Sequence, residues 1–428
     1  MNLLIKSAKI IDTNSKYHNK IMDVFIKNGK IDKIAKSIKA CKESLANGSE
    51  IEFSANNLHL SPGWFDLHAN FSEPGNEQKE TLESGSNAAA KGGFTGVMIM
   101  PNTSPSLDNK GMIKYIQNAT IGNIVDILPA GNLTMKQEGN EIVEMHDMTK
   151  AGCLAFTDDK QSIKRNEVLK IALLYAKDCN ALIMNYPNEN SIANNGFMHE
   201  GAVSTRLGLR GIPSIAEEMM VDRDISICEY TNSRFHLSYL STKGSVDKIK
   251  KAKLKGLNIS ADVALHNLFL TDEAINNFDT RYKVMPPLRT KKDNKALIKA
   301  LKEGVIDVIT TDHSPQDKEH KRVEFDNAKS GIIGLESAFG LLGKYLLPDL
   351  GIDQIIKNIA INPRNILGIN EATLVEGNTA NITLFNPDLE WEFTKDDIKS
   401  KSDNTPFLGV KLKGKALAIF NNGKFKKC

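Results

Sequence analysis

Hydrophobic and polar positions along the chain change rhythm twice. Residues 2–11 and 22–35 alternate in the way of short strands, and Asn28-Gly29 inside the second stretch is a hairpin-turn signal. A third apolar run, 51–60, ends on Ser61-Pro62-Gly63. From about residue 62 short apolar runs alternate with segments of helical period: 96–100 then 109–119, 126–130 then 140–150, 154–157 then 164–178, and 181–185 then 213–229. The alternation continues through 235–239, 245–255, 258–263 and 305–311. Sustained over about 300 residues, it predicts a parallel α/β architecture, and the number of units favours a closed (β/α)8 TIM barrel. Past residue 370 short strands return at 380–385, 408–413 and 416–421. The simplest arrangement is a barrel over 62–370, flanked by a small β-sandwich domain built from residues 1–61 and 371–428.

Composition narrows the function classes. Lys+Arg of 55 against Asp+Glu of 52 leaves a net charge of +3. No bulk charge points to a nucleic-acid or membrane-surface partner. Aromatic residues are only 6% and no basic run is interleaved with them, which argues against a stacking platform for single strands. The N-terminal residues carry charges within their first ten positions, unlike a secretory signal, and no apolar stretch reaches the roughly 18 residues that span a bilayer. Five scattered cysteines without a CxxC pair read as reduced thiols, so the expectation is a cytoplasmic protein.

The chemistry-bearing motifs begin at the end of the first candidate barrel strand. Pro62-Gly63-x-x-Asp66-x-His68 is followed by Glu73-Pro74-Gly75 and then by Lys79-Glu80-Thr81-x-Glu83-Ser84-Gly85. A histidine at the C-terminal end of a barrel strand faces the catalytic mouth, where it is a candidate metal ligand. Further along come Gly92-Gly93-Phe94-Thr95, Met100-Pro101-Asn102-Thr103, Phe156-Thr157-Asp158-Asp159, Ser241-Thr242, Pro286-Pro287-Leu288-Arg289 and Thr311-Asp312-His313-Ser314-Pro315. Ser330 to Glu336, Asn362-Pro363 and Gly377 to Asn381 complete the series. In this order and spacing, over more than 350 residues, the motifs resemble the dihydroorotase and allantoinase branch of the amidohydrolase superfamily.

That resemblance implies two divalent metals, zinc in the family, held by a His-x-His pair, a bridging carboxylate or carboxylated lysine, two more histidines and an aspartate. The metals would lower the pKa of a bridging water, and the aspartate would shuttle its proton to the departing amide nitrogen. Carried over position by position, His68 and Asp312 are kept and Asp158 takes the bridge. The other ligand positions hold Asn70, Asn185 and Tyr239. Carboxamides and a phenol of pKa about 10 bind such metals poorly beside imidazole. The expectation is therefore no metal, or one weakly bound divalent ion around His68, Asp158 and Asp312.

The groups that the family directs at substrate have changed as well. Ser72 stands where an arginine would clamp a carboxylate, Met285 replaces an asparagine, Gln316 replaces a histidine, and only Asn102 is kept. Lys160 follows the Asp-Asp pair where the family has glycine, and it could supply positive charge between Asp158 and Asp312. His199, His236 and His266 read as structural or loop histidines. The leading reading is a non-catalytic dihydroorotase homologue of pyrimidine biosynthesis. The resemblance implies for it a role as structural partner of aspartate transcarbamoylase, and assembly as a dimer or larger homo-oligomer. The alternatives are a working cyclic-amide hydrolase with a remodelled, single-metal site, and a separate binding role in which the mouth takes a small polar ligand.

Overall fold

The structure, a computed structural model, describes residues 2–39, 50–369 and 371–428. Cys41 lies outside them, and the other four cysteines are free. The first strands are β1 (Asn2–Ile10), β2 (Ile21–Lys27), β3 (Lys30–Ala35), β4 (Glu50–Phe53) and β5 (His59–Pro62). The turn between β2 and β3 is the predicted one: Asn28 and Gly29 both have positive φ (51° and 78°), as a two-residue hairpin turn requires. The single run expected at 51–60 is two strands, β4 and β5, parallel to different parts of β1.

The barrel strands follow: β6 (Trp64–Ala69), β7 (Phe94–Ile99), β8 (Asp126–Pro129), β9 (Ala155–Phe156) and β10 (Leu182–Asn185). After the short parallel pair β11 (Met198–His199) and β12 (Gly211–Ile212) come β13 (Phe235–Leu237), β14 (Ile259–Ala264) and β15 (Val308–Thr310). Two parallel runs, β6-β7-β8 and β9-β10-β13-β14-β15, are joined by bridges at Gly131–Phe156 and Ala69–His313. Those bridges close eight parallel strands into the expected barrel. Its interior is filled by side chains such as Phe65, Leu67, Met98, Leu182 and Met184, all buried.

The longer helices are α1 (Leu82–Gly92), α2 (Lys110–Ala119), α3 (Asn166–Asp178), α4 (Ser214–Thr231), α5 (Lys243–Leu254), α6 (Lys291–Lys302) and α7 (Ala338–Tyr345). Local sequence sets their ends. Thr81 accepts from the Ser84 amide at the start of α1, and Thr290 and Asp293 form a capping box at the start of α6. Gly93 ends α1 at φ 89°, and a Cβ there would sit 2.6 Å from that of Ala416, so only glycine joins α1 to β7 beneath the neighbouring sheet.

The C-terminal strands β16 (Ile382–Glu392), β17 (Lys411–Asn421) and β18 (Lys424–Lys427) join through β16, which pairs with β5, and bring both termini into one eight-stranded mixed sheet. The two strands expected at 408–413 and 416–421 are one. The interruption is absorbed as register shifts against β16, with Gly414 at φ 89°. Leu3, Ile5, Val24, Leu60, Ile382 and Phe420 form this sheet's own core. Trp64 ties sheet to barrel: it is fully buried and stacks on Phe339 at 4.5 Å between ring centres. No helix among the described residues is long and apolar enough to cross a membrane.

Candidate functional site

The C-terminal ends of β6, β9, β13, β14 and β15 converge on a buried polar cluster. His68, at the end of β6, donates from Nε2 to Asp262 Oδ2 (2.6 Å), and His236 Nε2 donates to the same oxygen (2.7 Å). The Tyr239 amide reaches the other oxygen of Asp262 at 2.8 Å. All three of these side chains are fully buried. Burial alone would push the Asp262 carboxyl up, but the two imidazoles hold it well below the ordinary carboxylate range. The same contact holds His68 above its ordinary value, against the opposite pull of burial.

A second ion pair spans the mouth. Lys160 Nζ donates to both oxygens of Asp312, at 2.7 and 2.8 Å. The Asp312 side chain is fully buried and that of Lys160 is 18% exposed. Burial pushes the Asp312 carboxyl up to about 6, against the lowering effect of the lysine charge. The same ammonium lies 4.8 Å from the ring centre of Tyr239, and that ring packs on His68 at 4.2 Å. Tyr239 donates its hydroxyl to Asp159 (3.2 Å), as does the Asn102 amide (3.0 Å). Burial and the surrounding carboxylates keep the Tyr239 phenol protonated, well above its ordinary range. His266 lies 3.8 Å from Asp312; burial, then the Lys160 charge, lowers its pKa to about 3, so the ring is neutral. Its Nε2, like Asn70 Oδ1, is buried without a hydrogen-bond partner.

The remaining predicted positions face elsewhere. Asp158, expected to bridge, turns from the centre: it accepts from the amides of Leu133 and Thr134 (both 2.9 Å) and from the Thr134 hydroxyl. Its neighbour Asp159, at φ 51°, is the carboxylate directed into the mouth. Asn185 donates to Asp224 of α4 (2.8 Å) and accepts from the Ile163 amide (3.3 Å), outside the central cluster. Ser72 is buried at the rim with φ 60°; Met285 packs on Tyr186, Tyr239 and Ala264; Gln316 donates to the Ser330 carbonyl (3.2 Å).

Ser72, Asp159, Tyr239 and Asp312 all hold positive φ, between 49° and 60°. Non-glycine residues in that region cost roughly 1–3 kcal/mol each, and they concentrate at functional sites. The backbone of the mouth is thus shaped as for a precise constellation, whatever the side chains now do.

Asp262, Asp159 and the pairing role of His236 escape a reading by motif. A charged residue inside the apolar run Ile259 to Ala264 was the available signal for Asp262, since buried carboxylates are almost always paired. Among the described residues one group of potential metal ligands lies within 4.8 Å: His68, His236 and Asp262. Their N···O separations of 2.6 and 2.7 Å are those of hydrogen bonds. Ligands at about 2.0–2.2 Å around one tetrahedral ion stand more than 3 Å apart.

Comparison with known proteins gives these positions a context. The family described as "Dihydro-orotase-like" matches residues 58–245. A dihydroorotase of Pelotomaculum thermopropionicum is 41% identical, over 99% of this chain and 98% of its own. A dihydroorotase of Geobacter metallireducens is 38% identical over 99% of both chains. Among solved structures, the dihydropyrimidinase of Brevibacillus agri superposes with a TM-score of 0.84 at 21% identity, covering 99% of this chain and 95% of that one. The L-hydantoinase of Arthrobacter aurescens superposes with a TM-score of 0.83 at 18% identity, with the same coverage. The structural likenesses show the fold; the sequence likenesses, running end to end at about two residues in five, show more. The chain belongs to the dihydroorotase family.

Proposed function

We propose that this chain is a non-catalytic dihydroorotase homologue of pyrimidine biosynthesis, in which a lysine ammonium takes the place of a metal cation. The observation that carries this reading is the Lys160–Asp312 ion pair. In the family the aspartate at the end of the eighth strand must be free to hold metal and move a proton. Here both of its oxygens accept from one ammonium. Buried charge-assisted bonds of this kind are the stronger class, and breaking one leaves an uncompensated buried charge.

The other donors do not fit a divalent pair. Asp158 is committed to Leu133 and Thr134, and Asn185 to Asp224 and Ile163. The Tyr239 phenol is protonated, and His68 Nε2 is engaged as a hydrogen-bond donor to Asp262. The same commitments count against a remodelled single-metal site at His68, Asp158 and Asp312, because all three are already engaged, His68 by Asp262, Asp158 by Leu133 and Thr134, and Asp312 by Lys160. On this reading no hydrolytic step is assigned to the mouth. The network does structural work: it neutralises carboxylates that a strained, metal-shaped backbone would otherwise bury unpaired.

The test is a dihydroorotate ring-opening assay on protein purified without chelators and supplied with excess Zn2+. No turnover above the buffer rate is expected. Ring opening at rates ordinary for enzymes, on the order of 1 per second or faster, would overturn the reading. The proposal extends to a role as structural partner of aspartate transcarbamoylase, supported by the family resemblance alone. Co-elution of the two purified proteins on gel filtration is the expected result, and separate elution at micromolar concentration would remove that part.

A further inference from the structure

The charge of the chain is unevenly placed. Residues 243–255 hold six lysines and one aspartate, and residues 291–303 hold five lysines, one aspartate and one glutamate. These two stretches therefore carry an excess of eight positive charges on a chain whose net charge is +3, and the rest is net negative by five. They are α5 and α6, neighbours on the outer ring of the barrel, and between them runs a groove of about 620 Å³. Its rim is Lys243, Lys250, Lys291, Lys292, Lys295 and Lys299, all exposed. Its floor is Val246, Ala296 and Ala300.

Part of the rim is neutralised within the chain: Lys250 reaches Glu303 at 2.7 Å, and Lys243 pairs with Asp247. Lys291, Lys292 and Lys295 have no carboxylate within 4.0 Å among the described residues. Lys291, Lys295 and Lys299 repeat at four-residue spacing, which sets like charges over one another and disfavours the isolated helix. Lys243, Lys291 and Lys292 also occupy first turns, where the helix dipole opposes a cation. A helix pair that accepts these local penalties around an apolar floor has the form of a receptor for a complementary anion.

We infer that the groove between α5 and α6 docks an acidic amphipathic helix of a partner protein, its apolar face on Val246, Ala296 and Ala300 and its carboxylates against the lysine rim. A concave floor between two helices suits the helix-in-groove mode of recognition. The groove lining contains neither arginine nor an aromatic ring, the groups that read and stack nucleic-acid bases. A membrane surface would meet the lysine tips but leave the floor unfilled. The inference stands apart from the chemistry of the mouth, since none of its residues belongs to that cluster.

The probe is a fluorescein-labelled helical peptide of about four turns, with alanine and leucine on one face and glutamates on the other, titrated with the full chain by fluorescence anisotropy. Saturable binding is expected, weakening at least about tenfold as NaCl rises from about 50 to about 300 mM. The triple variant Lys291→Glu, Lys295→Glu, Lys299→Glu should lose at least about tenfold in affinity, and the glutamine triple a smaller part of that. Lys110→Glu with Lys114→Glu, on α2, should change nothing. Circular dichroism melts check that each variant is folded, and the glutamine triple carries the test if the glutamate triple is not. Absence of peptide binding, equal binding by the triple variants, or tighter binding of a DNA duplex or an anionic vesicle would overturn the inference.

Discussion

Two buried carboxylates at the same end of the barrel illustrate opposite outcomes. Glu217, near the start of α4, accepts from the amides of Ser241 and Thr242 and from both their hydroxyls, with Arg289 closing the cluster by donating to Ser241 (3.0 Å). Those partners lie in the Ser241-Thr242 and Pro286 to Arg289 motifs. Asp312, in the Thr311 to Pro315 motif, is held by Lys160 instead. Around Glu217 the hydrogen bonding is complete, whereas around Asp312 two polar atoms, His266 Nε2 and Asn70 Oδ1, are buried unpartnered. The side chains that hold loops in place thus form a closed hydrogen-bond set, while the mouth pairs its carboxylates with a lysine and two histidines and leaves polar atoms open.

The largest expected effect lies in the frame. Glu217→Ala strands two backbone amides and the buried Arg289 guanidinium, and should lower unfolding free energy by about 3–5 kcal/mol in urea. A loss under 1 kcal/mol would mean that the complete network contributes no more than the incomplete one. Next comes Lys160→Met, expected to cost about 2–4 kcal/mol near pH 8 by leaving Asp312 charged and alone. The sign of the pH dependence follows from Asp312, whose pKa of about 6 in the folded chain lies above its ordinary value. Removing the lysine raises that pKa further, and the penalty exists only while Asp312 is ionised, so it should shrink as pH falls from about 8 toward about 6 and be absent below that. A penalty independent of pH would place the effect in packing instead of charge.

The paired aspartates sharpen the same contrast. Asp158→Asn replaces a carboxylate that takes two amides and a hydroxyl, and should cost about 1–3 kcal/mol. Asp159→Asn, at the mouth, should cost under about 1 kcal/mol because its partners are one amide and one phenol. A reversed order would restore Asp158 to the centre of the site.

The smallest effect concerns the segment beyond β15. Lys283 donates to the carbonyls of Phe325 and Asp326, and Lys321 to those of Lys329 and Gly331, both from buried positions. Burial lowers their pKa values to about 8 and about 7, below the ordinary lysine value. Between those values and about 10.5 the unfolded chain binds more protons, so these groups make stability rise with pH in that window. The gain between pH 7 and 9 should be smaller in Lys321→Met than in the unsubstituted chain, as urea melts at the two pH values would reveal.

The barrel was legible because its signal is local and repeated, a strand–helix alternation sustained from about residue 62 onward, and the Asn28-Gly29 turn of the small sheet was legible because it is local too. Of the positions named from motif spacing, Tyr239 does lie in the central cluster, while Asn185 faces Asp224 outside it. What motif reading missed depends on side-chain direction. Asp158 and Asp159 are adjacent, and only the positive φ of Asp159 determines which one enters the mouth. The compensating charge of Lys160 was legible in the sequence, although it pairs with Asp312 alone and not with Asp158, whereas the pairing of His68 with Asp262, 194 positions apart, was not. Contacts across a barrel leave no periodic trace in the chain.

The claim that an ammonium stands in for metal is tested most directly by zinc content, measured by elemental analysis after equilibration with excess Zn2+ and gel filtration. The account predicts well under one ion per chain, with no increase when Tyr239 alone is changed to histidine. Two ions per chain, retained through the column, would contradict it.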